Sequence, residues 1–173
     1  MNAYRSVVCA LAFLPLVLTG CAGKMHVTHG TASHAIQPNN VGVVTYGVEQ
    51  KSTDHRLSDG CIDGIVKAGT HAIERERVGD AVKDGGVATT SEPSPQDVQK
   101  VGKAVQADGM IIETAQGHMD LVVNRFMVTS YSARLVEISS GEEIRGVNFS
   151  DLESQDDGFL VASEACQKLM ESR

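Results

Sequence analysis

The densest group of reactive residue types is Ser58-Asp59-Gly60-Cys61-Ile62-Asp63. A thiol between two carboxylates offers a nucleophile, or an acid–base pair if the surroundings push the carboxyl pKa values apart. Such a site also needs a third group to orient it. His71 is the nearest downstream imidazole, and a Cys61–His71 pair would activate the thiol. The elements proposed below give these two side chains no common direction. Asp59 and Asp63 stand at i and i+4, the spacing of an ordinary solvated helix face. The sequence contains no P-loop, HExxH, CxxC, nucleophile elbow or post-strand GxGxxG. His26, His29 and His34 have no Cys or carboxylate partner in their segment, and a flexible segment holds tetrahedral geometry poorly. The expectation is therefore no catalysis, no metal and no cofactor, with a small Cys61-dependent hydrolase as the remote alternative.

Cys21 carries a different chemistry. It follows the apolar run Val7–Leu18, which is interrupted by Pro15 and preceded by Arg5. That run is too short for a bilayer span of about 20 residues, and it suits the apolar region of a secretory signal. Leu18-Thr19-Gly20-Cys21 resembles a bacterial lipobox, in which the thiol is acylated and the chain is cut before the cysteine. Residues 1–20 are thus expected to be a signal peptide. Residues 21–40 would be the lipidated Cys21 and a flexible tether, and 41–173 a single α/β domain. Ala22 rather than Asp after the cysteine implies, by analogy with sorting rules, the outer membrane with the domain facing the periplasm.

Composition narrows the partners. Of the 15 basic residues only Arg5 lies in 1–20, and none of the 22 acidic residues does, so the mature net charge is −8. An acidic domain is not suited to nucleic acid, which selects clustered positive charge. Aromatic residues make up 4% and Trp is absent, which disfavours a stacked sugar site. Cys61 and Cys166 remain after processing. In an oxidising compartment they either pair or stay as two buried thiols.

The elements that would position these residues can be read from periodicity. Val41–Val48 is β-branched and reads as a buried strand; Cys61, Ile62, Ile65 and Val66 mark one helix face, with Ser58 able to cap it. Gly69-Thr70 suggests a break before a short strand through Glu76, and a helix around Val78–Val82 follows. Ser94-Pro95 opens a helix with Val98, Val101 and Val105 on its buried stripe. "MIIETA" reads as a strand and 116–125 stays ambiguous. Arg125–Ile138 and "EIRGVNFSDL" form a hairpin about Gly141. A last helix begins near Asp156, with Phe159, Ala162 and Cys166 on one face. The order is β-α-β-α-α-β-β-β-α, a mixed sheet of about five strands with packed helices.

"IERERV", "VGKAVQADGMIIETA" and "YSARLVEISSGEEI" occur in an order that resembles the CsgG/LpoB-like superfamily of envelope lipoproteins, whose fold is like the TolB amino-terminal domain. The resemblance covers about 41–173. It implies an α/β domain without catalysis, with Ile73-Glu74-Arg75 ending the second strand and Ala107-Asp108-Gly109 turning into the third. Assembly or scaffold work through protein contacts is the function it implies, with a regulator of a peptidoglycan synthase as the alternative. The expected partners are another envelope protein or copies of the chain itself. The expected contact surface holds Asp59 and Asp63 on the first helix and Arg75 and Arg77 in the "IERER" segment, since guanidinium groups suit interfaces.

Overall fold

Two apolar clusters on opposite faces of one sheet organise the chain. The computed structural model describes residues 24–30, 37–48, 51–120, 122, 125–150, 152 and 157–171. The signal segment, Cys21, His34 and the helix start at Asp156 lie outside the described residues. The strands are β1 (Lys24–His29), β2 (Asn40–Thr45), β3 (His71–Ala72), β4 (Gly109–Asp120), β5 (Arg125–Glu137) and β6 (Glu143–Ser150). The helices are α1 (Lys51–Lys67), α2 (Arg75–Asp84), α3 (Pro95–Val105) and α4 (Gly158–Glu171). The sheet order is β1-β6-β5-β4-β2-β3, with β2 parallel to β3 and β4 and the remaining neighbours antiparallel. It is a mixed α/β sheet of six strands.

Alternation along the strands sorts side chains between the faces. Val41, Val43 and Ile111 point toward α1 and α4, where Leu57, Ile65, Ala162 and Leu169 meet them. Val44, Met110 and Ile112 point the other way, toward Val78 of α2 and Val98, Val101 and Val105 of α3. The start of α3 follows local chemistry: the Ser94 hydroxyl accepts from the Asp97 amide at 3.2 Å, and Pro95 takes the first helical position. Gly141 has φ +77° in the β5–β6 turn, a conformation that costs glycine little.

Four features depart from the sequence reading. Residues 24–29 are not tether but an edge strand, paired with β6 from Lys24↔Ser150 to His29↔Arg145. Pairing satisfies the outer backbone edge of β6, and half-buried Met25 packs on the core. The order therefore gains a strand at its start. Helix α1 begins at Lys51 rather than near Ser58, because Thr53 and Leu57 are already buried. Ser58 sits inside it and donates to the Asp54 carbonyl at 2.8 Å. The strand expected through Glu76 stops at Ala72, and Arg75 opens α2. Finally, 116–120 continues β4, which crosses a register shift at Gln116/Gly117.

Candidate protein-interaction surface

Helices α1 and α4 run side by side in the same direction and nearly touch backbone to backbone. A Cβ on Gly60 would lie 2.3 Å from the Phe159 carbonyl oxygen, and one on Gly64 2.2 Å from that of Ser163. Only glycine allows that approach. Between these two glycines Cys61 faces inward and is bonded to Cys166 of α4, with a Cα–Cα distance of 5.1 Å. Both cysteines are fully buried.

Beneath the disulfide lies a polar group inside the core. Glu113 of β4 is fully buried. The Thr45 hydroxyl donates to its Oε1 at 2.7 Å, and the Tyr131 hydroxyl donates to its Oε2 at 2.5 Å. The Tyr131 oxygen also lies 3.5 Å from Cys166 Sγ. Burial raises the Glu113 pKa to about 7, against the opposing effect of its two hydrogen bonds. Burial, with Glu113 alongside, holds the Tyr131 phenol well above its usual value. The carboxyl accepts from both donors and is itself closed to solvent, while Thr45 stands at the edge of the group. Cys61, Cys166 and Glu113 place their ligating atoms within 4.8 Å of one another, but both sulfurs are committed to the S–S bond.

The surface residues sort differently. Arg75, at the start of α2, pairs with Asp59 of α1 at 2.9 Å and with Glu76 at 2.8 Å. The Arg75 guanidinium lowers the Glu76 pKa, and its own pKa rises in return. Asp63 turns toward α4: it pairs with Lys67 at 2.6 Å and accepts from the Ser163 hydroxyl at 2.6 Å. Lys67 first and Ser163 second lower its pKa. Arg77 stands exposed one residue past the pair. Asp59 and Arg75 thus form one rim, Arg77 two positions on in α2 points to another side of that helix, and Asp63 belongs to the α1–α4 seam. His71 lies exposed at the far end of α1, on β3, so no thiol–imidazole pair forms with buried Cys61.

The rim borders a cleft of about 320 Å³ at the carboxyl end of β2. Thr45, Asp54, His55, Ser58, Arg75 and Asp80 are among its walls. Ligands favour the carboxyl ends of parallel strands where helices diverge to opposite faces, as α1 and α2 do here. Sequence reasoning missed this cleft and the Glu113 group. The charged residue inside "MIIETA" was the available cue to the latter.

Fold and site together define an α/β domain with a stapled helix pair on one face of its sheet and a charged rim between α1 and α2. Among solved structures, a similar fold occurs in a dodecamer of PelC from Paraburkholderia phytofirmans, with TM-score 0.53 and 13% identity over 86% of this chain and 96% of that one. Lipoprotein GNA1162 from Neisseria meningitidis matches with TM-score 0.48 and 18% identity, over 73% and 93% of the two chains. The LpoB C-terminal domain from Escherichia coli matches with TM-score 0.45 and 14% identity, over 68% and 87%. No family model matches the chain, and no curated protein does. Among the described residues no helix is long and apolar enough to cross a membrane.

Proposed function

We propose that this chain is a non-enzymatic lipoprotein of the bacterial outer membrane, acylated at Cys21, that faces the periplasm and works by protein contacts, including contacts between its own copies. The observation that carries the reading is the lipobox-like Leu18–Cys21 only three residues ahead of β1, which would tie a folded domain directly to a bilayer. The PelC structure of similar fold is a dodecamer, and that supports self-association here. A non-catalytic role is supported by the state of Cys61, whose thiol is spent in a buried disulfide. The synthase-regulator alternative asks for long reach, which a three-residue link disfavours.

The exposed charges of α1 and of the first turn of α2, with Asp59, Arg75 and Arg77 among them, are the proposed contact surface. Rim charges act more on association rate and salt dependence than on final affinity, so charge reversal is a sharper probe than alanine. Light scattering after size exclusion and in-cell crosslinking should show an assembly in the wild type that Arg77→Glu weakens, with both proteins melting alike. A wild type that is monomeric and uncrosslinked would refute function by contact. An unchanged pattern in Arg77→Glu would refute this surface.

A further inference from the structure

The two longest strands run past the rest of the sheet. β2 pairs with β4 no further than Thr45↔Glu113, yet β4 continues to Asp120; β6 pairs with β5 no further than Tyr131↔Phe149, yet β5 begins at Arg125. At its base the overhang is held by the Leu152 amide on the Thr129 carbonyl and by a Met127↔Asp157 bridge, and beyond these it is a two-stranded arm that closes at Asp120↔Arg125. The connection 121–124 reads Leu-Val-Val-Asn, where hairpin turns ordinarily carry Gly, Asn or Asp at their centre. Val122 is 94% exposed there, and its amide donates to Asp120 Oδ1 at 2.8 Å.

The direction of this arm is set by the ladder. β1 is antiparallel to β6 and β6 to β5, so Lys24, opposite Ser150, lies level with about Ser130. Lys24, the first residue of β1, therefore stands at the end of the sheet from which the arm projects. From Gln116↔Ser130 to Asp120↔Arg125 the arm advances four paired positions, about 14 Å at ~3.4 Å per residue, one residue of β5 being taken up by the bulge. From Lys24 back to Cys21 is three residues, at most about 10–11 Å. The arm thus extends further from the level of Lys24 than three residues of extended chain can span.

We infer that the tip of the β4–β5 arm is a second membrane contact, with Val122 seated in the phospholipid headgroup layer beside the acyl chains. This rests on the reading of Cys21 as the lipid anchor. An anchor on so short a link brings the sheet end to the bilayer, and the longer arm meets the lipid first. A fully exposed valine at the leading point matches an interfacial apolar contact, and the occupant is the same lipid surface that holds the anchor.

The absence of Trp makes the test direct, since one introduced Trp is the sole indole. The natively acylated mature protein carrying Val122→Trp is reconstituted in phosphatidylethanolamine–phosphatidylglycerol vesicles with and without lipids brominated at shallow acyl positions. Glu142→Trp, exposed in the β5–β6 turn at the opposite end, is the control. The expected result is emission shifted to shorter wavelength and quenched by bromolipid for Val122→Trp, and neither change for Glu142→Trp. Acylated, vesicle-bound Val122→Trp protein that emits as in water and resists quenching overturns the inference and leaves the anchor standing. A mass for the mature chain without acyl groups on Cys21 removes the anchor and the inference together.

Discussion

Glu113 should make the stability of this domain fall with rising pH in a window that one substitution abolishes. Its folded pKa, raised by burial to about 7, exceeds its ordinary value of 4.5. A raised acid favours the folded state fully only while it is neutral in both states, below about pH 4.5. Between 4.5 and about 7 the unfolded chain releases the proton first, and folding loses free energy as pH rises. Above the folded pKa the loss is complete. At ~1.4 kcal/mol per pKa unit, a rise of this size corresponds to roughly 3 kcal/mol. Glu113→Gln keeps the shape and cannot ionise. Urea melts of wild type and variant, with the disulfide intact, give the difference in unfolding free energy at each pH, and the other carboxylates cancel in that difference. The difference should move by about 3 kcal/mol in favour of the variant between about pH 4 and pH 8. Tyr131→Phe removes a hydrogen bond that holds this pKa down, so the wild-type inflection should move to higher pH. A difference between wild type and Glu113→Gln that is flat over the whole range would refute the account of Glu113 as a buried acid.

Three further outcomes are expected. Replacing both Cys61 and Cys166 by Ala opens a loop spanning 105 positions and should cost up to about 4–5 kcal/mol in the chain-entropy model, read as a lower denaturant midpoint; two free thiols in non-reduced periplasmic protein would contradict the bond. Gly64→Ala drives a methyl into the Ser163 carbonyl and should destabilise by about 1–3 kcal/mol, whereas Gly79→Ala, with nothing near its Cβ position, should not; equal melting temperatures for the two would refute the close helix contact. Cys21→Ala should leave the membrane fraction, and a variant that still partitions wholly with membranes would show that the anchor lies elsewhere.

How much of this was legible depended on where the stabilising contacts lie. α3 was readable because its cap, its first-turn proline and its valine stripe are all local in sequence. The β5–β6 hairpin was readable from Gly141 for the same reason. β1 was not, since an exposed edge strand needs no apolar alternation and gains its backbone partners from β6, more than a hundred residues away. The first turns of α1 were hidden because the buried face there carries Thr53 and Ser58, residues that read as loop or cap. Asp59 and Arg75 were read as neighbours on one surface, yet nothing in their spacing announced that they pair with each other. Thr45, Glu113 and Tyr131 meet only through strand register, which no local pattern encodes.

The position of β1 also decides where this domain may safely be cut. A recombinant version begun at Val41, after the segment that looks like linker, would lack Lys24–His29 and leave the hydrogen-bonding edge of β6 bare from Arg145 to Ser150. That stretch includes Val147 and Phe149, so the bare edge would be flanked by apolar side chains. An open edge of this kind recruits strands from other molecules, and the product would be precipitate or a false oligomer. Proteins begun at or before Lys24 keep the edge covered, and only those can report an association that belongs to the native chain.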